Sequence, residues 1–144
     1  MKKTTVSVVS VLLVLISLIS FAGCTTSEGV EKTGLWENAV YLENQTFGEG
    51  KNTVTVEVKA EEQSVTFNVK TDEETVGAAL LEHKLIDGDN SEYGLYVKKV
   101  NGIVADYDVD QSYWAFYING EYATSGVDST PITEGDTYQL VYTK

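Results

Sequence analysis

Few side chains in the 144-residue chain could serve as nucleophiles or as acid–base catalysts. Cys24 is the only cysteine and His83 is the only histidine. A Ser-His-Asp arrangement would need His83 to point outward, but it falls on the apolar side of a predicted helix near its C-terminus, where an imidazole complements the helix dipole. Cys24 has a different predicted role, so no thiol remains for nucleophilic catalysis or for zinc. We therefore predict a protein that is not an enzyme.

Two acidic segments offer carboxylate oxygens at alternate positions, as calcium loops do. They span residues 87–92 and 106–110. Neither has the glycine at the sixth position or the glutamate at the twelfth that would complete an EF-hand loop. Solvated turns are the favoured interpretation, and calcium binding is a further hypothesis. Its candidate ligands are the carboxylates of Asp87, Asp89, Asp106, Asp108 and Asp110.

Tyrosine is the residue type that most suggests ligand binding, because the chain has nine. In residues 113–118 the apolar set is Trp114, Phe116 and Ile118, which we predict to face the core, so that Tyr113 and Tyr117 face outward. Outward tyrosines form a flat surface that suits planar ligands, glycans or protein partners. Cross-strand pairing that only stiffens the sheet is the alternative. The predicted ligand-binding residues are Tyr96, Tyr107, Tyr113, Tyr117 and Tyr122.

The N-terminus has the parts of a lipoprotein signal peptide. Lys2 and Lys3 precede an apolar run over residues 6–21 that is short for a membrane span, and residues 21–24 read Phe-Ala-Gly-Cys, a lipobox. We predict cleavage after Gly23 and a diacylglyceryl group on Cys24, whose two acyl chains suffice for stable anchoring. The predicted location is the extracytoplasmic face of the cell membrane. An uncleaved anchor helix is the alternative and leaves the protein on the same membrane.

Charge argues against nucleic acid and anionic substrates as partners. The formal net charge is −12, and removal of residues 1–23 takes away Lys2 and Lys3, leaving eight lysines against 22 acidic residues, or −14. The chain has no arginine, so it lacks the planar fork that binds carboxylates and phosphates bidentately. Its length, 42% hydrophobic residues and single proline indicate one globular domain. We predict a signal peptide over residues 1–23, a tether over 24–34 and the domain over 35–144.

The periodicity of the domain predicts an α+β fold. Valines alternate with polar residues from 54 to 58, and apolar residues do so again from 65 to 69, which predicts an antiparallel hairpin. Residues 71–74 read as a capping box, so we predict a helix from about Asp72 with Val76, Ala79 and Leu80 on its apolar face and with Gly77 allowing close packing on a sheet.

The segments before the hairpin and after the helix are also assigned from their patterns. Residues 35–42 are predicted to be an edge strand or a segment that wraps over the domain, with a turn at 47–50. Residues 87–91 are predicted to be a turn that leads into strands around 93–99 and 102–106. The Asn119-Gly120 pair predicts a hairpin with a type I′ turn, and residues 138–142 a last strand that closes the sheet.

Residues 113–120 read Tyr-Trp-Ala-Phe-Tyr-Ile-Asn-Gly, followed by Gly126-Val127 and by a Gly135-Asp136 turn before a tyrosine-containing strand. This pattern resembles the C-terminal domain of transcobalamin and intrinsic factor and of its bacterial relatives. The resemblance implies a β-grasp-like mixed or antiparallel sheet with one helix packed across it. In the vertebrate carriers this domain forms one jaw of a cobalamin site, and a large helical domain forms the other. A cobalamin site on this chain is therefore half a site unless another protein or a second copy completes it.

These observations together predict a membrane-anchored extracytoplasmic lipoprotein that acts as a non-enzymatic ligand-binding module. The family resemblance makes a corrinoid the first candidate ligand. The alternative is a module of the cell surface that interacts with a protein or a glycan through the same tyrosines.

Overall fold

The computed structural model describes residues 29–144. The predicted signal peptide and Cys24 lie outside these residues. Within them the chain forms nine strands, two short α-helices and two 3-10 helices. The strands are β1 Gln45–Phe47, β2 Asn52–Ala60, β3 Gln63–Thr71, β4 Ile86–Ser91, β5 Gly94–Val100, β6 Ile103–Val104, β7 Tyr113–Ile118, β8 Glu121–Tyr122 and β9 Thr137–Thr143. The helices are α1 Val76–Glu82 and α2 Tyr107–Asp110, and the 3-10 helices are Gly34–Asn38 and Val127–Ser129.

The strands form a six-stranded mixed sheet in the order β1-β3-β2-β9-β7-β8 and a three-stranded antiparallel sheet in the order β4-β5-β6. In the large sheet β1 is parallel to β3 and β2 is parallel to β9, while the other pairs are antiparallel. The last strand therefore lies in the middle of the sheet, and the prediction that it closes the sheet is wrong. Leu140 faces Val58 on one side and Phe116 on the other, so a central position buries it fully.

Both predicted hairpins are present. In β2 and β3 the pairs Val54–Val69, Val56–Phe67 and Val58–Val65 bring apolar residues together on one face, as a period of two requires. Asn119 and Gly120 have φ of 51° and 81°, the two positive values that a type I′ turn needs. The alternation and the turn residues therefore specified these strands from local sequence alone.

The helix begins later than the capping box indicated. Thr71 is the last residue of β3, where pairing with Asn52 keeps it extended, so it cannot cap a helix. The N-cap is Thr75, whose side chain accepts a hydrogen bond from the Ala78 N–H. The apolar face of Val76, Ala79 and Leu80 is buried as predicted. Gly77 permits close packing, but against the 3-10 helix Val127–Ser129 rather than a sheet, since a Cβ would lie 2.7 Å from the Asp128 Cα.

The polar segment predicted to be a turn at residues 87–91 is strand β4. It pairs antiparallel with β5, with an irregularity between Asp87 and Gly88, and the true turn follows at residues 92 and 93. Ile86 anchors the strand opposite Val100, and both side chains are buried. A polar strand of this kind is held by its partner rather than by its own propensity, so composition alone pointed to a turn.

The segment before β2 wraps over the core and then adds an edge strand. Trp36, on the 3-10 helix Gly34–Asn38, is fully buried, and its indole N–H donates to the Ala60 carbonyl oxygen at 3.0 Å. The edge strand is β1, which includes Phe47, rather than residues 35–42. Val30 and Glu31, which the sequence assigns to the tether, already hydrogen-bond to Leu42 and Gln63.

One hydrophobic core joins these elements and confirms the predicted α+β fold with a helix packed on a sheet. The core face of the large sheet contributes residues such as Val56, Phe67 and Leu140, which meet Leu80 of α1 and Val100 of the small sheet. None of the helices in residues 29–144 has the length and apolar character needed to cross a bilayer.

Candidate functional site

The six-stranded sheet has a second face, called here the outer face, made by the residues between those that enter the core. Strand pairing places its residues on one side, as in the row Tyr122–Tyr117–Gln139–Glu57–Thr66, which crosses five strands. None of its members belongs to the hydrophobic core cluster. The outer face consists of Thr46, Thr53, Thr55, Glu57, Lys59, Ser64, Thr66, Asn68, Lys70, Tyr113, Ala115, Tyr117, Tyr122, Thr137, Gln139, Val141 and Thr143.

Side chains on the outer face are ordered by contacts with one another. The Gln139 amide donates to a Glu57 carboxylate oxygen at 2.6 Å, and the Thr55 hydroxyl donates to the Asn68 amide oxygen at 2.9 Å. At one end of the row the rings of Tyr117 and Tyr122 meet edge to face, with centroids 5.4 Å apart. The result is a polar surface bordered by an aromatic pair.

A shallow depression of about 330 Å³ lies on this face. It is lined by Thr55, Glu57, Thr66, Gly120, Thr137, Tyr138 and Gln139. Three hydroxyls, an amide and a carboxylate therefore converge on one small volume and supply both hydrogen-bond donors and acceptors. Such a surface suits a ligand that has polar groups along its edge and a flat body that can rest on a tyrosine ring.

The outer face differs in charge from the rest of the molecule. Its strand residues include two lysines, Lys59 and Lys70, and one acid, Glu57, whereas the whole chain has a net charge of −12. This nearly neutral surface on a strongly acidic protein suits ligands with neutral polar groups.

Three of the five tyrosines predicted to bind a ligand share the outer face. Tyr113, Tyr117 and Tyr122 lie there, the first two half-buried and the third exposed. Tyr96 lies on β5 of the small sheet and Tyr107 on α2. Within residues 29–144 the close ring pairs include Tyr117 with Tyr122 but no pair that contains Tyr96, Tyr107 or Tyr113.

Sequence reasoning missed the polar part of this surface. Glu57 and Gln139 are 82 residues apart and meet only because β2 and β9 are parallel neighbours. The alternation of each strand showed that the two residues face away from the core. No signal in the sequence showed that the two strands pair.

Lysine side chains lie among the predicted calcium ligands and pair with three of them. The Lys98 Nζ is 3.1 Å from a carboxylate oxygen of Asp89 and 3.9 Å from one of Asp106, while the Lys99 Nζ is 3.8 Å from Asp87. The hydrogen bond that the Lys98 ammonium donates to Asp89, and then the negative charge of Asp106, raise the pKa of Lys98. In residues 29–144 no group of three or more His, Cys, Asp or Glu side chains is arranged to hold a metal ion.

Asp108 and Asp110 lie on α2, and Asp110 has partners of its own. It accepts hydrogen bonds from the backbone N–H and the hydroxyl of Ser112, and from the Lys144 ammonium at 3.2 Å. The Ser112 hydroxyl, and then Lys144, lowers the pKa of Asp110. The Asp110 carboxylate is therefore already hydrogen-bonded to Ser112 and paired with Lys144.

His83 lies at the C-terminus of α1 and at the edge of the core, where the sequence placed it. Its ring stacks on Phe47 with centroids 5.7 Å apart, and its Nε2 lies 3.7 Å from a Glu82 carboxylate oxygen. The imidazole is thus packed between a strand and a helix end, a position that supports the fold.

Comparison with known proteins gives a family and two informative structures. Residues 73–144 match the family described as "Domain of unknown function (DUF4430)". A solved structure of a candidate metal-binding protein from Ruminococcus gnavus ATCC 29149 is 30% identical, covers 65% of this chain and 98% of its own, and has a TM-score of 0.62. No curated protein matches.

The second structure is haptocorrin in complex with Cbi. It is 17% identical to this chain, covers 68% of it with a TM-score of 0.52, and is matched over 26% of its own length. At that identity the likeness shows the fold alone. The resemblance noted in the sequence is therefore confirmed as a distant, transcobalamin-like fold.

Proposed function

We propose that this chain, which belongs to the family of domain of unknown function DUF4430, is a non-enzymatic binding module that works outside the cell membrane. The observation that carries the proposal is the outer face of the large sheet. Apart from the buried Ala115, its residues are half-buried or exposed and none belongs to the hydrophobic core cluster, and its side chains combine ring surfaces with hydrogen-bonding groups.

The first candidate ligand is a corrinoid. The support is the fold shared with haptocorrin, whose solved structure holds Cbi, together with the outward tyrosines. A corrinoid has a flat macrocycle bordered by amide side chains. The macrocycle could rest on the Tyr117 ring, and the amides could bond to the hydroxyls and the Gln139–Glu57 pair.

A glycan or protein of the cell surface is the second candidate, and the composition of the depression favours it. Three threonine hydroxyls beside an amide and a carboxylate match the many hydroxyls of a sugar as well as they match amides. This candidate uses the same outer face, so the same variants test it.

Calcium is not included in the proposal, although the Ruminococcus gnavus protein is described as a candidate metal-binding protein. The Lys98 ammonium already lies between Asp89 and Asp106, where a cation would have to be. A ligand that binds only the folded state at a hundred times its dissociation constant adds about 2.7 kcal/mol of stability. We expect the melting temperature to be the same in millimolar calcium and in chelator.

Calorimetric titration of the full chain in detergent with cobalamin and with cobinamide tests the proposal. We expect Tyr117→Ala to weaken binding at least tenfold, which is about 1.4 kcal/mol. Tyr93→Ala is the matched control, because Tyr93 is 87% exposed in the turn between β4 and β5 and lies off the outer face. Absence of heat at millimolar ligand would exclude the corrinoid, and equal losses in the two variants would exclude the outer face.

The proposed location depends on acylation of Cys24. Replacing Cys24 with Ser removes the thiol that carries the lipid and leaves the domain unchanged. We expect the Cys24→Ser protein to leave the detergent phase in a phase-partition experiment while it keeps the wild-type melting temperature. A variant that stays in the membrane fraction at the wild-type mass would show that residues 6–21 are an uncleaved anchor.

A further inference from the structure

A cavity of about 430 Å³ opens at the end of the molecule where the β2–β3 turn, the 3-10 helix Gly34–Asn38 and the end of β9 meet. Its lining residues are Leu35, Glu61, Asp110, Tyr142 and Lys144. The cavity is not part of the outer face, since Tyr142 pairs with Trp114 on the core side of the sheet. The function proposed above does not use it.

The walls of the cavity are continuous with the hydrophobic core. Leu35 and Tyr142 are both half-buried and pack against the core cluster. The Tyr142 ring also stands edge-on to the buried Trp114, with centroids 5.7 Å apart, which fixes its orientation. An apolar or aromatic ligand body would therefore meet apolar surface here without moving the backbone.

The rim of the cavity carries one unbalanced negative charge. Lys144 and Asp110 neutralise each other at 3.2 Å, and Ser112 supplies further hydrogen bonds to Asp110. The Glu61 carboxylate, by contrast, has no lysine or histidine nitrogen within 4.0 Å in the described part of the chain. It lies close to Gly34, where an added Cβ would be 2.8 Å from one of its oxygens, so Gly34 leaves room for it.

We propose that this cavity binds an organic cation that has an apolar body. The ammonium group would lie beside Glu61 and over the face of the Tyr142 ring, which adds a cation–π attraction, while the body would pack on Leu35. The net charge of −12 draws cations toward the whole molecule and raises their local concentration. This site is independent of the outer face.

Benzyltrimethylammonium is a suitable probe, and benzyl alcohol is its uncharged counterpart. Binding to the full chain can be followed by tryptophan fluorescence, because Trp114 contacts Tyr142. We expect saturable binding of the cation and much weaker binding of the alcohol. Glu61→Gln should weaken binding of the cation at least fivefold. The neighbouring Glu62→Gln gives the matched control, because Glu62 carries the same charge and does not line the cavity.

Three results would overturn the proposal: no saturable signal, equal binding of the cation and the alcohol, or equal losses in Glu61→Gln and Glu62→Gln. The last would mean that the acidic surface attracts cations without a site. A Tyr142→Leu variant separates the cation–π contribution from apolar packing, since it keeps an apolar wall but removes the ring. We expect it to weaken binding while its own melting curve reports whether the fold is intact.

Discussion

The two faces of the six-stranded sheet are built from the same strands but differ in burial and in the kind of contact their side chains make. On the core face Val56, Phe67 and Leu140 are at most 1% exposed and pack into one cluster. On the outer face, one residue along each strand, Glu57, Asn68 and Gln139 are half-buried and hydrogen-bonded to outer-face neighbours. Stability depends mainly on the core face, which leaves the outer face free to carry the proposed binding groups.

The largest expected effect comes from emptying the core face. Phe67→Ala removes a fully buried ring that touches the rings of Tyr41 and Phe47, and we expect a loss of about 3–5 kcal/mol in the free energy of unfolding. Asn68→Ala is the matched change on the outer face and should cost about 1 kcal/mol or less, the worth of one hydrogen bond to Thr55. Urea unfolding measures both, and similar losses would contradict the division between the faces.

The packing of α1 on the core layer gives the next effect. Gly77→Ala places a Cβ 2.7 Å from the backbone of Asp128, so the 3-10 helix Val127–Ser129 must move, at a cost of about 1–3 kcal/mol. Ala78→Ser, at the next helix position, serves as the control. An alanine at position 77 that leaves the unfolding midpoint unchanged would mean that this contact is looser than described.

The tyrosine pair on the outer face should matter less for stability than for binding. We expect Tyr117→Ala to change the free energy of unfolding by about 1 kcal/mol or less, because the ring is half-buried and its aromatic partner is the exposed Tyr122. A double-mutant cycle with Tyr122→Ala should give a coupling of about 0.5–1 kcal/mol. If Tyr117→Ala unfolds the protein instead, the ring belongs to the core.

The smallest expected effect is a pH dependence of stability from the contact between Asp110 and Ser112, at the end of α2. The folded-state pKa of Asp110 is lowered, chiefly by the Ser112 hydroxyl, so this interaction stabilises the fold above the unfolded-state pKa and is lost as pH falls through the folded-state pKa. Ser112→Ala should therefore lower the melting temperature most at neutral pH and less in acid. The Ser112 hydroxyl also accepts a hydrogen bond from the Asp106 N–H. Loss of that bond lowers the melting temperature by an amount that does not vary with pH. If the melting temperatures of the wild type and Ser112→Ala differ by the same amount at every pH, Asp110 does not contribute.

The sequence predicted those parts of the fold that local pattern decides. Alternating valines gave β2 and β3, and Asn119-Gly120 gave the turn after β7, because each signal acts on neighbouring residues. Prediction failed where a distant partner decides. Thr71 was read as a helix cap but is held in β3 by Asn52, and residues 87–91 were read as a turn but pair with β5.

The candidate site divides in the same way. The outward direction of Tyr113 and Tyr117 followed from the period of their own strand. Gln139 contacts Glu57, and the depression forms beside them, only because β2 and β9 pair in parallel. No residue type in either strand predicts that pairing. Alternation with Leu95 and Val97 also predicts that Tyr96 faces outward, but the structure places Tyr96 and Tyr107 outside the large sheet, since no local pattern shows to which sheet a strand belongs.

The most direct test of the central claim is to map a corrinoid onto the backbone by NMR, using amide chemical shifts of the isotopically labelled chain during titration with cobinamide. We predict that shifts concentrate on outer-face residues of β2, β7 and β9, with Glu57, Tyr117 and Gln139 among the largest. Core-face neighbours such as Val56 and the control residue Tyr93 should change little. Chemical-shift changes confined to the small sheet or to α2, with none on the outer face, would contradict the proposal that the outer face binds the ligand.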